Sequence, residues 1–441
     1  MFETVAIPVW LLVGAGILAT IAALERIIGP GLRWVLRRQM ERVVGRVNAR
    51  LDRKIEPFKL MSRHDRIVRL LYDPQVLEAV AEHAAETGTP GEVVLEEAKA
   101  YAREIVPGFS ALFYFGFATR AARWLSAMLF RVRVGKVAEE LAAVDRDASI
   151  VFVMNHRSNM DYVLVTWLVS GRAAISYAVG EWARVWPLSR LIRAMGAYFI
   201  RRGSRNALYR RVLARYVQMA TDEGTVQAVF PEGGLSLDGR VGPARLGLLS
   251  YIWTGWKEDK RDVVFIPVGL AYDRVLEDSL LVTAGKSGSR RFRPRLWRVA
   301  WDAVKILLRR AGGRKHLFGT AAASFGAPIS LRDFRASGGD LEGFAAHVMS
   351  EVEAVVPILA VPLTAAALCE GVGVSDLAER LRETGAVMKL PPGGVVQAQQ
   401  EGLAMLHLRG LVDAAGNILP ETRDLLEFYA APVRQRLEAT G

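Results

Sequence analysis

A single cysteine, Cys369, stands in the 441 residues, so no intrachain disulfide can form, and the composition suits a reducing compartment. Acidic residues are also in deficit, 46 against 58 lysines and arginines, which leaves a formal net charge of +12. That balance favours an anionic partner: nucleic acid, an anionic membrane surface, or a phosphorylated small molecule. The chain lacks paired Cys and His at zinc-finger spacing, an RNA-binding aromatic signature and a long Lys/Arg tail, so nucleic acid is set aside as a partner. Charge is missing altogether from Val5 to Leu24. About 20 apolar residues is the length that crosses a hydrocarbon core, so this run is read as a single transmembrane anchor.

No basic residue precedes that run, whereas Arg26, Arg33, Arg37, Arg38 and Arg42 follow it. By the positive-inside rule the remainder of the chain lies on the cytoplasmic side of the cell membrane. A cleaved signal peptide is the rival reading, but it wants a basic start and a small-residue cleavage site. Between Leu32 and Lys54, Leu36, Met40, Val43, Val47 and Leu51 recur at helical spacing, with Arg42, Arg46, Arg50 and Arg53 opposite. Such a helix suits anionic lipid, or alternatively packs against its own domain. From Arg53 to Glu104 the pattern is helical, punctuated at Tyr72-Asp73-Pro74 and Gly88 to Gly91. His64 and His83 have no carboxylate partner at a useful spacing there. The aromatic stretch Phe109 to Phe117 is too short to span and is read as core, with interfacial insertion as the alternative.

The chain is long enough for a full core and two or three structural units. Its organising stretch is Ser149 to Leu164. An apolar run from Ile150 to Met154 reads as a buried strand, and the cluster Asn155, His156, Arg157, Ser158, Asn159 breaks it before a helix resumes. Ser158 or Asn159 can cap that helix, and Asp161 falls in its first turn. A carboxylate so placed can fold back on His156 and take the proton of one ring nitrogen. The other nitrogen is left as an acceptor, which is what a general base for a hydroxyl nucleophile requires. A surface histidine near a capping aspartate is the plainer alternative at this spacing.

Further strands are read at Ala173 to Val179, Val226 to Phe230 and Val263 to Leu270, with helices over Trp182 to Met195 and about Asn206 to Thr221. The phrase Gly196 to Gly203 delivers Arg201 and Arg202 at a strand's carboxyl end, where guanidinium forks suit a phosphate. Pro231-Glu232-Gly233-Gly234 is a glycine turn that lets backbone N–H groups approach a ligand. Glu232 is read as orienting an acceptor hydroxyl or an arginine, and Arg240 and Arg245 follow in the loop. Alternating strands and helices predict a doubly wound α/β sheet, each strand placing its polar residues at the same rim. The expected divisions are an anchor over 1–30, an amphipathic and helical region over 31–130, a catalytic domain over 131–335 and a helical carboxyl-terminal region over 336–441.

Four blocks in order within about 120 residues carry a resemblance: Asn155 to Tyr162, Gly196 to Arg202, Phe230 to Arg240, and Val264 to Val268. They resemble the four motifs of the glycerolipid acyltransferase superfamily, most nearly the membrane-bound bacterial glycerol-3-phosphate 1-O-acyltransferases and their dihydroxyacetone-phosphate relatives. The likeness extends to Phe318 to Leu331, Pro357 to Leu368 and Leu425 to Val433. It implies an α/β fold with a mixed, largely parallel sheet flanked by helices, in which His156 is a general base oriented by Asp161 and Arg201, Arg202 and Arg240 hold the acceptor phosphate. Glu232 and Gly233 match the third block's acidic and glycine positions. It implies as substrates glycerol 3-phosphate and an acyl thioester, either acyl-CoA or acyl carrier protein, with no metal or redox cofactor because a thioester is already activated. One departure stands out: the family's third block reads E-G-x-R-S, and Leu235 replaces its arginine. That keeps lysophosphatidate or another lyso-lipid open as acceptor, and beside it a non-catalytic membrane-binding role.

Overall fold

Period-two alternation divides the run Ser149–Met154 between two cores. Val151 and Val153 pack with Leu70, Ala98 and Tyr209 on one face, while Ile150, Phe152 and Met154 pack with Leu426, Phe428 and Tyr429 on the other. A strand apolar on both faces is one covered on both faces. The computed structural model describes residues 41–135, 137–180, 188–201, 203–288 and 318–439, with isolated positions before residue 41. The chain separates into Met1–Leu51 and Asp52–Gly441. In the first, residues 41–48 are helical; the expected anchor falls almost entirely outside the described residues. Among the described residues no single helix is long and apolar enough to cross a membrane.

The second unit opens with helices α1 (Arg63–Leu71), α2 (Pro74–Thr87) and α3 (Gly91–Ile105). Asp73 starts α2 by accepting the N–H of Gln75 at 3.1 Å, and Pro74 supplies the first helical residue. A π-helical segment, Leu112–Ala118, runs into α4 (Thr119–Leu129). There follow β1 (Arg131–Val134), β2 (Ser149–Met154), α5 (Met160–Val169), β3 (Ser176–Val179), β4 (Tyr198–Phe199), α6 (Ala207–Asp222), β5 (Gln227–Val229) and β6 (Val263–Tyr272). Then come α7 (Asp278–Ser287), β7 (Thr320–Phe325), β8 (Ile329–Ser330), α8 (Leu341–Ala354), α9 (Ala360–Glu370), α10 (Gly394–Leu408) and α11 (Arg423–Glu438).

The eight strands form one sheet in the order β1-β7-β6-β2-β5-β3-β4, with β8 also on β6. Neighbours from β6 to β4 are parallel, and β7 and β8 run antiparallel to β6. This is the mixed, largely parallel sheet that the resemblance implies. Helices α1 to α3, α6 and α8 contribute to the core on one face, and α9 to α11 to the core on the other. Both flanking regions thus pack on the sheet within the unit Asp52–Gly441.

Several local expectations shift. The strand expected over Ala173 to Val179 starts at Ser176, and β1 was not anticipated because Arg131 and Arg133 interrupt its apolar character. It is an edge strand whose charges find partners: Arg131 pairs with Glu401 at 2.5 Å, and Arg133 donates to the carbonyls of Lys389 and Leu390. Of the stretch read as aromatic core, Tyr114 is buried but Leu112 and Phe117 are exposed. A helix puts alternate stretches on opposite sides, so one phrase serves both core and surface. The helix expected over Trp182 to Met195 is seen at Leu188–Ala194; residues 181–187 lie outside the described residues.

Candidate active site

The carboxyl end of β2 delivers Asn155 and His156 into the turn before α5. Asn155 extends the sheet with its side chain, donating to the Leu270 carbonyl at 3.0 Å and accepting the Leu270 N–H at 2.7 Å. Those bonds fix where the next residue emerges. His156 Nδ1 lies 2.9 Å from Asp161 Oδ2, and both side chains are buried. An ionised carboxylate can only accept, so the shared proton sits on Nδ1 and Nε2 keeps its lone pair. No hydrogen bond engages Nε2 among the described residues.

Asp161 is fully buried, and four donors compensate its desolvation. Oδ2 also accepts the N–H groups of Arg157 at 2.8 Å and Ser158 at 3.0 Å, and Oδ1 accepts the Tyr272 hydroxyl at 2.7 Å. Burial above all, with Asp161 beside it, holds the Tyr272 phenol well above its ordinary pKa, so it stays a donor. Sequence reading missed Tyr272. The available signal was the alternation in β6, where Val268, Leu270 and Tyr272 share a face.

The turn is pinned from other sides as well. Glu277 accepts the Ser158 hydroxyl at 2.8 Å and the Asn159 side-chain amide at 3.0 Å. Ser236 donates its N–H to the His156 carbonyl at 2.9 Å. The buried Arg157 guanidinium donates to the Gly239 carbonyl and lies 4.7 Å over the Phe428 ring of α11. Tyr429, next in that helix, donates to Asp278 at 2.6 Å and accepts the Val275 N–H at 2.9 Å. The carboxyl-terminal helix therefore braces the histidine turn.

Glu232 also braces the turn: its Oε1 accepts the His156 N–H at 2.8 Å and its Oε2 the Gly242 N–H at 3.2 Å, so both oxygens hold main chain. Burial pushes its pKa up to about 7 against those two donors.

Two cavities flank this turn. One of about 270 Å³ is walled by Tyr162, Phe230, Gly233, Arg201 and Arg245, among others. Phe230 stacks on the His156 ring at 4.2 Å, and Tyr162 meets it edge-on at 5.6 Å, so this cavity shares walls with the imidazole's own packing. The other, about 720 Å³, lies between the loop Gly234 to Arg245 and helices α7 and α11, with Glu232, Leu235 and Leu237 in its lining.

The expected basic cluster is not assembled as one hollow. Arg201 borders the smaller cavity, but its Nε and Nη2 lie 2.9 and 2.6 Å from Glu104, and the guanidinium rests over Tyr101 and Tyr209. Arg240 borders the larger cavity and is gripped by both oxygens of Glu438 at 2.6 and 2.7 Å. Each charge is already matched by a carboxylate, which the sequence could not reveal because the partners are 97 and 198 residues away. Arg202 lies outside the described residues. Gly233, at φ +68°, adopts the left-handed conformation that its turn requires.

A family model described as Acyltransferase matches residues 136–271, a span that contains all four blocks. Among curated proteins, the glycerol-3-phosphate acyltransferase of Shewanella amazonensis is 31% identical over 299 residues, covering 66% of this chain and 35% of that protein. The glycerol-3-phosphate acyltransferase of Xanthomonas campestris pv. campestris is 27% identical over 304 residues, covering 67% and 33%. The chain thus spans about a third of the length of the curated relatives it matches. The crystal structure of the 1-acyl-sn-glycerophosphate acyltransferase of Thermotoga maritima aligns over 66% of this chain and 98% of that one, at 19% identity and a TM-score of 0.32.

Proposed function

We propose that this chain, a member of the glycerolipid acyltransferase superfamily, moves a fatty acyl group from acyl-CoA or acyl carrier protein to the sn-1 hydroxyl of glycerol 3-phosphate. The observation that carries the reading is the buried His156–Asp161 pair at the carboxyl edge of a largely parallel sheet, with no hydrogen bond on Nε2 among the described residues. Nε2 takes the hydroxyl proton as the oxygen attacks the thioester carbonyl. A C–O bond forms, the tetrahedral intermediate collapses with cleavage of the C–S bond, and the imidazolium returns its proton to the leaving thiolate. Asp161 steadies the transient imidazolium. General base catalysis of this kind is worth about a hundred- to ten-thousandfold. The reaction needs no cofactor beyond the thioester, whose acyl carbon is already activated.

The same reading places the protein at the cell membrane, held by a single span in residues 1–30 with the catalytic unit on the cytoplasmic side. A lysophosphatidate acceptor is the second reading, favoured by Leu235 and Leu237 in the lining of the larger cavity, where an apolar acceptor tail would be covered.

The test is an acyl-transfer assay with the purified full chain in phospholipid vesicles, offered glycerol 3-phosphate and lysophosphatidate separately with palmitoyl-CoA and with palmitoyl carrier protein. Acylation of glycerol 3-phosphate that disappears in His156→Ala supports the proposal. Acylation of lysophosphatidate alone moves the assignment to the second reading. Transfer to neither, or a fully active His156→Ala, overturns both.

A further inference from the structure

The proposed acceptor carries a phosphate, and the arginines expected to hold it are occupied. Arg201 is committed to Glu104 and Arg240 to Glu438, each through two nitrogens. In the lining of the larger cavity, Lys286 pairs with Asp424, and Arg434 with Glu427 and Glu370. Drawing any of them to a ligand means breaking an existing ion pair first.

Arg245 is placed otherwise. Its backbone N–H donates to the Pro231 carbonyl at 2.8 Å, which sets the residue beside the glycine turn. Its side chain then crosses the turn directly over Gly233: a Cβ at residue 233 would stand 2.7 Å from Arg245 Cδ. Any larger residue at 233 would displace the arginine, so the glycine provides its berth. The guanidinium makes no ion pair or hydrogen bond with the described residues, and Arg245 is exposed. It lines both cavities, including the one walled by Phe230 and Tyr162 against the imidazole. Arg210 is the other cation of the smaller cavity with no ion pair among the described residues, and it lines that cavity alone.

We infer that Arg245 seats the phosphate of the acceptor through its guanidinium fork, beside the turn where Leu235 stands in place of the third block's expected arginine. The inference rests on the phosphorylated-acceptor reading above and names a specificity-determining residue for it. A planar fork with two parallel N–H donors matches two phosphate oxygens, and a lysine gives charge without that geometry. Glu232, on the same turn, makes no ion pair with this guanidinium among the described residues; its oxygens accept the His156 and Gly242 N–H groups.

The experiment pairs steady-state kinetics with equilibrium binding of glycerol 3-phosphate and of inorganic phosphate, measured calorimetrically without thioester, on the full chain in vesicles. Arg245→Gln is expected to raise KM and Kd for glycerol 3-phosphate together by roughly ten- to a hundredfold, the loss of one charge-assisted contact, with kcat within about threefold. Arg245→Lys should recover part of that loss, and Gly233→Ala should reproduce it by pushing the arginine aside. Arg211→Gln, which removes an exposed pair with Glu82 outside both cavities, should leave both constants within about twofold. Unchanged KM and Kd in a folded Arg245→Gln overturn the inference with the activity intact, as does a fall in kcat at constant KM. Wild-type protein that binds phosphate through Arg245 yet acylates nothing keeps the inference and sinks the catalytic reading. Wild-type protein that binds neither glycerol 3-phosphate nor phosphate overturns the inference outright.

Discussion

His156 Nδ1 and Asp161 Oδ2 lie 2.9 Å apart, five residues from each other in sequence and on opposite sides of a strand-to-helix turn. Because the same carboxylate oxygen also accepts the N–H groups of Arg157 and Ser158, the turn that carries the histidine is folded around the group that orients it. With its amide nitrogen at the Oδ2 position, Asp161→Asn turns donors towards His156 Nδ1 and the N–H groups of Arg157 and Ser158, and the imidazole tautomer that leaves Nε2 as base is no longer enforced. With its oxygen there it keeps those bonds but turns an N–H towards the Tyr272 hydroxyl and removes the negative charge that steadies the imidazolium. We expect kcat to fall about a hundred- to ten-thousandfold with KM for glycerol 3-phosphate little changed. Steady-state kinetics on a variant of wild-type circular dichroism check this, and a kcat within threefold of wild type contradicts the assigned role.

Tyr272→Phe separates orientation from charge. The substitution deletes the donor to Asp161 Oδ1 and leaves that oxygen buried without a partner. Leaving a buried acceptor unsatisfied costs about 1–3 kcal/mol, more where it is charged. Denaturant titration should show a stability loss in that range. A packing role alone would stop there; a positioning role also lowers kcat, by roughly tenfold, and moves the acidic limb of the pH–rate profile. A variant less stable but kinetically normal would reduce Tyr272 to a structural group.

Glu232 gives the fold a pH dependence of definite sign. Its folded pKa of about 7 stands above the ordinary value of 4.5 because burial penalises the charge. A raised carboxyl favours the folded state most below the unfolded value, and that advantage is lost as pH climbs through 7. Between pH 5 and pH 8 the shift corresponds to a loss of roughly 2.5 kcal/mol, a contribution Glu232→Gln does not have. Urea titrations of both proteins across that window should therefore converge in stability, or cross, towards the acid side. Parallel curves would mean that Glu232 ionises normally and that its carboxylate is better solvated than its burial implies.

How much of this was legible beforehand follows from distance along the chain. The strand Ser149–Met154, the turn and Asp161 are local, and both the sheet class and the His156–Asp161 approach could be read from alternation and spacing. Asn206 as the cap of α6 is similarly local, accepting the Tyr209 N–H at 2.8 Å. What escaped were partnerships across the fold. Tyr272 reaches Asp161 over 111 residues, Glu104 claims Arg201 over 97, and Phe428 supports Arg157 from the far end of the chain. Periodicity cannot say which of 58 basic residues a carboxylate will meet. It was therefore the ion pairs of Arg201 and Arg240, on which any phosphate-binding role depends, that the sequence could not show.

A last prediction concerns attachment to lipid. On the helical stretch from Leu112 to Leu129, Leu112, Phe117 and Trp124 are 53%, 60% and 56% exposed, with Arg120 and Arg123 exposed between and beside them. Aromatic rings flanked by arginines suit the boundary between acyl chains and phosphate headgroups, where the ring is covered and each guanidinium contributes about 1 kcal/mol near an anionic surface. Deleting residues 1–30 should then release the protein from vesicles containing anionic phospholipid only in part. Adding Phe117→Asp and Trp124→Asp to that deletion should release most of what stays bound, and 0.5 M salt should weaken the remainder. Complete release by the deletion alone would leave this face without a role at the membrane. Vesicle binding by the triple variant equal to that of its parent would assign the residual attachment to the basic residues 31–51 instead.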